Sequence, residues 1–346
     1  MLYCLIVEQF TLYLIKIIHY KHMRISWQKQ IQSAVTDPKE LFLELKLDLS
    51  LIEKLFPRND ILISYPLKVP RSFIRRMQKG DINDPLLQQI LPVQSEAESI
   101  PGFRDDPLGE HKLSIIPGLI HKYYGRVLVL VTSNCAINCR FCFRRFCRQE
   151  AIDLQKILTY IANEQTIEEV IFSGGEPLLL ENTNLENLLQ EFSKISHVKR
   201  VRIHTRLPIL IPDRVDHGLI KALRSSRLNL VVVVHTNHPL EISNDVLVKL
   251  RLLQSKNILL LNQSVLLKNI NDNADTLIAL SQRLCAAGVL PYYLHLLDKV
   301  TGAHHFSVDV ITAQKIYADM TAKLPGYLLP RMVRDVEGSN AKALIL

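Results

Sequence analysis

The sequence is poor in the residue types that define several large classes of protein. Its 346 residues include only six cysteines, too few for a disulfide scaffold, and only 12 glycines and 16 prolines, too few for a collagen-like or linker-dominated chain. Hydrophobic residues make up 48% of the chain and charged residues 22%, which excludes a disordered protein. The length suffices for one large domain, or for one with a small partner domain.

Long uninterrupted apolar runs are also missing. The most apolar stretch, residues 1–18, contains Glu8 and Lys16, whereas a membrane-spanning helix needs ~20 nearly uninterrupted apolar residues. It also lacks the basic start and the small-residue cleavage site of a secretory signal. A second methionine, Met23, offers an alternative start. We therefore expect residues 1–22 to be a dispensable extension, and the protein to be cytoplasmic and to bind no membrane.

Positive charge is in excess, but it is not concentrated. The 42 Lys and Arg against 34 Asp and Glu give a formal charge of +8, and the basic residues group only briefly, within residues 71–76 and 140–148. Such scattered charge is more typical of solubility and of attraction for anions than of nucleic-acid binding. We expect no nucleic-acid partner.

The chain changes texture near residue 126. Residues 24–100 have helical patterns, in which Asp37-Pro38 and Asp84-Pro85 are typical helix starts. Six short apolar runs then alternate with six longer helical patterns, which predicts a parallel α/β architecture, either a doubly wound sheet or an incomplete barrel. The predicted strands are 127–131, 170–172, 201–204, 228–234, 258–261 and 292–296, and the predicted helices are 154–163, 185–192, 215–223, 245–253, 274–286 and 308–323.

Polar residues follow each predicted strand, where ligands bind in parallel α/β folds. These segments are 132–135, 173–177, 204–206, 235–238, 262–264 and Asp298. We expect chemistry at this end of the sheet. A single histidine at a strand end, such as His204 or His235, is more often a hydrogen-bonded core residue than a ligand.

The strongest motif is Cys135-Ala-Ile-Asn-Cys139-Arg-Phe-Cys142, directly after the first of these strands. Three thiolates on one short loop can hold three corners of an iron–sulfur cubane, and this arrangement leaves the fourth iron open to a small molecule. The alternative is a structural zinc site with Cys147 as a fourth ligand.

The C-x3-C-x2-C spacing resembles the radical S-adenosylmethionine (SAM) superfamily. In that superfamily a reduced [4Fe–4S] cluster cleaves SAM to a 5′-deoxyadenosyl radical, and the fold is a partial (β/α)6 TIM-type barrel. The resemblance implies that Cys135, Cys139 and Cys142 bind the cluster. It also implies that Gly174-Gly175-Glu176, after the second strand, contacts the SAM amine.

Further motifs resemble the lysine 2,3-aminomutases within that superfamily, closest to their short bacterial branch, over residues 65–345. These motifs are CRFCFRRF (139–146), VRIHTRLP (201–208), NHP (237–239), LNQSVLLKNIND (261–272) and PYYLHLLD (291–298). The resemblance implies an isomerase that converts L-α-lysine to β-lysine. A separate ligase would then attach the β-lysine to elongation factor P.

The same resemblance assigns roles to single residues. Lys342 would hold pyridoxal phosphate (PLP) as a Schiff base, Asp298 and Asp335 would bind the ε-ammonium of the substrate, and Arg144 would bind its carboxylate. Candidates for contacts to the PLP phosphate and to SAM are Lys122, Tyr123, Asn262, Gln263 and Ser264.

The expected organisation is an N-terminal helical region over residues 23–120, a radical SAM core over 121–325 and a C-terminal PLP-lysine tail over 326–346, in a chain that can form a homo-oligomer. Two alternatives stay open. One is a radical SAM enzyme with another substrate, or a degenerate aminomutase. The other is a zinc-stabilised nucleic-acid-binding module built on the basic and aromatic stretch 140–148.

Overall fold

A computed structural model describes residues 25–56, 65–147 and 152–345. The predicted extension, residues 1–22, lies outside these ranges. Within them, no helix is long and apolar enough to cross a membrane.

One ten-stranded sheet forms the centre of the protein, with its strands in chain order from β1 to β10. Strands β3 to β9 are parallel, whereas β1, β2 and β10 pair antiparallel with their neighbours. The strands are β1 Ser114–Ile116, β2 Leu119–Tyr123, β3 Arg126–Thr132, β4 Glu169–Gly174, β5 Arg200–Thr205, β6 Asn229–His235, β7 Leu259–Leu266, β8 Leu290–Leu296, β9 Arg331–Arg334 and β10 Ala343–Leu344.

Helices follow the parallel strands in the βα alternation that the sequence predicts. The helices are α1 Trp27–Gln32, α2 Pro38–Leu45, α3 Leu51–Leu55, α4 Arg71–Ile74, α5 Pro85–Gln88, α6 Glu110–Leu113, α7 Leu154–Asn163, α8 Asn182–Ser193, α9 Leu207–Leu210, α10 His217–Leu223, α11 Asn244–Gln254, α12 Ala274–Ala286 and α13 Val310–Lys323. Each of the six crossovers between adjacent parallel strands contains one of the longer helices, and these are α7, α8, α10, α11, α12 and α13. The prediction of six strand–helix units is confirmed.

Two of the predicted helix starts are also present. Asp37 accepts a hydrogen bond from Lys39 N at the start of α2, and Asp84 accepts from Leu86 N and Leu87 N at the start of α5. In each case a proline follows the capping residue, where its missing N–H costs nothing.

The sheet extends beyond the predicted core at both ends. Strand β1 lies near the end of the region predicted to be helical, and β2 crosses the expected boundary of that region at residue 120. Strand β9 pairs parallel with β8 as a seventh parallel strand, and β10 pairs antiparallel with β9. The segment 326–346, expected as a separate tail, therefore contributes two strands to the same sheet.

The two faces of the curved sheet differ in polarity. In β5, Val201 and Ile203 are fully buried in the main apolar core, whereas the alternating residues Arg202 and His204 line an interior cavity. The same alternation places Gln263 of β7 on the cavity side. The outward face packs on the helices, and the inward face supplies polar side chains to the cavity.

Candidate active site

A large cavity, about 780 Å³ in volume, lies inside the curve of the sheet. Parallel strands β3 to β9, the cysteine loop and the segment around residue 342 all contribute to its lining. This volume is within the range that cofactor and small-molecule sites occupy. The polar segments predicted at the strand ends therefore meet around one space.

The cysteine loop is anchored from outside the barrel. Asn138 N donates to Lys68 O and Arg140 N donates to Gln89 O, so that the N-terminal region holds the loop at two points. The Lys68 ammonium also donates to Cys135 O at 2.7 Å. These contacts fix the loop that carries the three cysteines.

Cys135, Cys139 and Cys142 all line the cavity as free thiols. Burial raises the pKa of Cys135, and negative charge on Cys142 and Cys139 would raise it further, so the three sulfurs lie within electrostatic reach of one another. Cations and donors face them: Arg206 Nη1 lies 2.7 Å from Cys139 Sγ, and the Tyr65 hydroxyl donates to Cys142. This donor set fits a cluster held by three thiolates on one loop, because the surrounding donors stabilise thiolate charge.

The zinc alternative required Cys147 to join these three residues. Cys147 is instead a half-buried residue close to Glu110 and Asp106. Burial raises the pKa of its thiol most, and the charges of these two carboxylates raise it further, although Arg144 opposes them. Among the described residues, no group of three His, Cys, Asp or Glu side chains is arranged to hold a single metal ion.

Gly174 and Gly175 line the cavity at the end of β4, and both are required by close packing. A Cβ on Gly175 would lie 2.2 Å from Asn134 O, and Gly174 has a φ of +111°. Gly175 N donates to Thr132 O and Glu176 N to Asn134 O, each at 2.7 Å. Gly175 and Glu176 therefore join the end of β4 to the segment just before Cys135, and the close approach requires the glycines.

Glu176 is the last residue of the segment expected to contact the SAM amine, and its carboxylate is saturated by hydrogen bonds from the protein. Its Oε1 accepts hydrogen bonds from Leu178 N and Thr205 Oγ1, and its Oε2 accepts from Arg206 N at 2.7 Å and Leu207 N at 3.0 Å. Four donors fill the four lone-pair sites of a carboxylate. In this geometry the side chain joins β4 to the end of β5, while Glu176 still lines the cavity with Gly174 and Gly175.

The predicted PLP lysine lies beside one of the predicted substrate carboxylates. Lys342 Nζ donates to Asp335 Oδ2, while Tyr123 Oη and Lys122 Nζ lie 2.6 and 3.2 Å from Asp335 Oδ1. Burial alone would raise the pKa of Asp335, but the charge of Lys342 and the hydrogen bonds from Lys342 and Tyr123 outweigh it and hold the pKa well below its usual range. Asp335 is thus ionised and fully paired.

Asp298 faces the same part of the cavity under opposite conditions. Burial, followed by repulsion from Asp335, raises the pKa of Asp298 to about 7, although Lys342 opposes the shift. A bound cation would offset both the burial and the repulsion. The two predicted carboxylates therefore meet around one space, and only Asp298 still needs a cationic partner.

Arg144 lies on the cavity wall and is held by its neighbours. Its Nε and Nη2 donate to the two carboxylate oxygens of Glu110, each at 2.7 Å, and its Nη1 donates to Ser173 Oγ at 2.9 Å. Burial would lower the pKa of Arg144, but the charge of Glu110 and its hydrogen bonds raise it. Three of its five N–H groups are used, and two are left for a ligand carboxylate.

The three candidate residues 262–264 on β7 do not all face the cavity. Because β7 continues to Leu266, residues 262–264 lie inside the strand and not beyond its end as expected. Gln263 and Ser264 line the cavity, but the Asn262 side chain bonds to Thr236 N, Thr236 O and Ser264 Oγ. Asn262 thus connects β7 to β6, and the structure gives it no contact with the cavity.

Three histidines line the cavity, and each has one ring nitrogen that is unpartnered among the described residues. His235 is also hydrogen-bonded, as expected from the sequence, because its ring bonds to the Asn237 side chain. Within the described parts of the chain, Nε2 of His204, His235 and His295 has no hydrogen-bond partner. Burial lowers the pKa of all three, to about 4 for His235 and about 3 for His295. They therefore present neutral imidazoles to a ligand.

Sequence reasoning named Lys122 but missed the other members of a basic end of the cavity, near the first residues of the strands. Arg126 of β3, Arg202 of β5 and Arg331 of β9 line it together with Lys122. Arg202 Nη2 lies 3.2 Å from Glu169 Oε2, while its buried Nε has no partner among the described residues. The only sequence signal was an arginine at or near the start of each of these strands. This end fits an anionic group such as a phosphate ester.

Comparison with known proteins agrees with this geometry. Residues 129–259, which include the cysteine loop and the glycine pair, match the Radical SAM superfamily. The chain is 44% identical over 324 residues to the L-lysine 2,3-aminomutase of Escherichia coli, covering 92% of this chain and 94% of that protein. It is 42% identical to the protein of the same name from Buchnera aphidicola (94% and 96% covered) and 40% identical to that from Haemophilus influenzae (92% and 95%).

Proposed function

Because the chain belongs to the L-lysine 2,3-aminomutase family, we propose that it converts L-α-lysine to β-lysine in the cavity described above. It is accordingly an isomerase that uses a [4Fe–4S] cluster, SAM and PLP. The observation that carries the proposal is the meeting, around one cavity, of three loop cysteines, a lysine amine and two carboxylates with very different pKa values.

The residues present fit each cofactor. Cys135, Cys139 and Cys142 would hold the cluster, and Lys342 would hold PLP with its phosphate toward Arg126 and the neighbouring basic groups. Gly174, Gly175, Glu176, Gln263 and Ser264 are then the lining residues available to SAM. When bound, the cluster and SAM supply radical chemistry that removes and returns a hydrogen of lysine, and PLP supplies the carbonyl carbon that carries the nitrogen from Cα to Cβ.

The substrate is recognised by charge at both ends. The ε-ammonium binds between Asp298 and Asp335, where it replaces the repulsion between these carboxylates with attraction and brings Asp298 fully into its ionised form. The α-carboxylate binds the two N–H groups of Arg144 that Glu110 and Ser173 leave available. Bidentate contact with a guanidinium fixes the orientation of a carboxylate, which a radical reaction at a single carbon requires.

Lys342 must give up its contact with Asp335 before it can act as an amine. In the described structure its ammonium donates to Asp335, and Lys122 and Tyr123 bind the other oxygen of the same carboxylate. These two donors keep Asp335 paired when Lys342 is engaged elsewhere. The carboxylate is then ready for the ammonium of the substrate.

We further propose that the protein is cytoplasmic, and that its product is β-lysine for the modification of elongation factor P by a lysyl ligase. Support comes from the resemblance to the short bacterial branch. We also propose that three segments divide the work. Residues 23–120 form an N-terminal region, residues 121–325 form the radical SAM core, and residues 326–346 supply the lysine that binds PLP.

The test is anaerobic incubation of the reconstituted protein with L-lysine, SAM and dithionite, followed by chromatography of the amino acids. We expect β-lysine from the wild type, none from Cys139→Ala, and none from Lys342→Ala, which should also lose the visible absorbance of bound PLP. Lys323→Ala, at an exposed lysine on α13, is the matched control and should retain both. A loaded cluster without β-lysine would refute the proposal and favour a radical enzyme with another substrate. A colourless zinc protein that binds RNA would favour the nucleic-acid-binding alternative.

A further inference from the structure

Arg206, the first residue after β5, joins the cysteine loop to a buried polar network. Its Nη1 donates to Cys139 Sγ at 2.7 Å, and its Nη2 donates to Gln89 Oε1 at 2.7 Å and to Glu241 Oε2 at 2.9 Å. Arg206 and Glu241 are both buried, with 6% and 0% of their surface exposed. A buried cation thus donates directly to one of the proposed cluster sulfurs.

The guanidinium is held in place from both ends. At the backbone, Arg206 N donates to Glu176 Oε2 at 2.7 Å. At the side chain, Glu241 Oε1 is fixed by Asn237 N at 2.9 Å and by His238 N at 3.1 Å, which leaves Oε2 directed at Arg206. Glu176 therefore fixes the backbone of Arg206, and the Arg206 guanidinium donates to the Cys139 sulfur.

The network also reaches the loop between the cysteines. Gln89 Oε1 accepts from Arg206 and from Asn237 Nδ2, and Gln89 O accepts from Arg140 N at 2.9 Å. Arg140 follows Cys139 directly. The position of Cys139 relative to the guanidinium is thus fixed through both the side chain and the backbone.

We infer that Arg206 is a positioning residue that raises the reduction potential of the cluster proposed at Cys139, with Glu176 and Glu241 holding it in place. The inference rests on the proposed function, because it assumes a cluster at the three cysteines. Reduction adds one electron to the cluster, from an oxidised 2+ core to a 1+ core, without a proton, and a low-potential one-electron reductant such as dithionite supplies it. A fixed N–H donor with positive charge stabilises the more negative reduced form more than the oxidised form.

Glu241 acts in the opposite direction. Its charge lies on the far side of the guanidinium from the sulfur and offsets part of the positive field at the cluster. In a buried site with low dielectric this compensation is strong. The pair therefore predicts shifts of opposite sign when each member is neutralised.

The test is a redox titration of the anaerobically reconstituted protein, monitored by the EPR signal of the reduced cluster, with iron and sulfide content measured for each variant. We expect Arg206→Gln to disfavour reduction about tenfold, which is about 59 mV for a one-electron couple. Arg206→Lys, which keeps the charge, should shift less, and Glu241→Gln should shift the potential upwards. Arg214→Gln is the matched control and should leave the potential unchanged, because Arg214 is a buried arginine whose guanidinium bonds to Leu178 O, Leu180 O and Asn182 Oδ1, outside this network.

An unchanged potential in fully loaded Arg206→Gln overturns the inference and leaves the proposed function standing. If that variant does not assemble a cluster, the potentials of Arg206→Lys and Glu241→Gln test the inference, which expects a small downward shift for the first and an upward shift for the second. Shifts of the same sign in these two variants overturn the inference. A wild-type protein that assembles no cluster overturns the proposed function instead.

Discussion

Asp298 offers a test of the cavity electrostatics that needs neither cofactor nor turnover. Its carboxyl has an ordinary pKa of 3.8 and a pKa raised to about 7 in the folded protein, first by burial and then by Asp335. The folded state therefore favours the protonated form. We expect Asp298→Asn, which removes the titration, to stabilise the cofactor-free protein at high pH.

The magnitude follows from the two pKa values. A group whose folded pKa is raised contributes stability below its unfolded pKa, and this contribution is lost as the pH rises through the folded pKa. At 1.36 kcal/mol for each pKa unit, Asp298 lowers the free energy of unfolding by about 4 kcal/mol at pH 8 and by about 2 kcal/mol at pH 5, relative to a residue that does not titrate. Water in the cavity solvates part of the charge, so these values are upper bounds.

The assay is urea denaturation of wild type and Asp298→Asn at pH 5, 6.5 and 8, with the difference taken at each pH so that other titrating groups cancel. Asp335→Asn is the control of opposite sign. Its carboxylate has a pKa below the ordinary 3.8, so it stabilises the folded state at all three pH values and loses that effect only below about pH 4. We therefore expect Asp335→Asn to be less stable than the wild type by a difference that stays constant from pH 5 to pH 8. A difference between wild type and Asp298→Asn that stays constant from pH 5 to pH 8 would refute the reasoning.

Two further substitutions test how the site is held. Gly175→Ala would place a Cβ 2.2 Å from Asn134 O, so we expect the free energy of unfolding to fall by about 2 kcal/mol or more and iron to be retained less well. Gly326→Ala, where a Cβ would have no atom within 4 Å, is the control and should melt near the wild-type temperature. Equal melting temperatures for the two variants would contradict the packing argument. Glu96→Gln leaves two buried arginine partners without their carboxylate and should cost about 3–5 kcal/mol by denaturant unfolding. Glu98→Gln, at an exposed carboxylate, should cost less than about 0.5 kcal/mol, and similar losses in both variants would count against a buried ion triad.

The parallel core was predictable because its signals are local. The apolar run Leu228–Val234 and the proline starts after Asp37 and Asp84 each act within a few residues, and the structure contains the corresponding strand and helices. The cysteine motif is equally local. Its three sulfurs come from eight consecutive residues, so their meeting required no knowledge of the fold.

The strands at the two ends of the sheet could not be predicted in this way. Strand β2 reads LIHKY and β9 reads RMVR, with too few apolar residues for a strand signal. Strand β2 is stabilised by a hairpin with β3, and β9 by pairing with β8, more than 30 residues earlier in the chain. The polar triplet 262–264 had the opposite problem. Its two amides and hydroxyl are typical of a loop, but Asn262 and Ser264 hydrogen-bond to Thr236, the residue after β6, and only the fold brings this residue close.

The role of Glu176 was hidden for a related reason. A carboxylate after a glycine pair looks available for a ligand when only the sequence is known. Its four donors come from residues 178 and 205–207, and those at 205–207 lie on the next strand and the turn after it. Whether a carboxylate is open or saturated depends on such contacts, and residue type alone does not reveal it.

The pairing of β9 with β10 has a consequence for chain entropy. Ala343 pairs with Arg334 and Leu344 with Val333, so a short hairpin turn brings Lys342 back to Asp335. Returning a lysine to a carboxylate seven residues away costs about 3 kcal/mol less loop entropy than closing the more than 200 residues from Tyr123 to Lys342. Amine and carboxylate can thus form as one local unit that docks on β8. Any opening of the cavity at this edge would move both groups together and preserve their spacing.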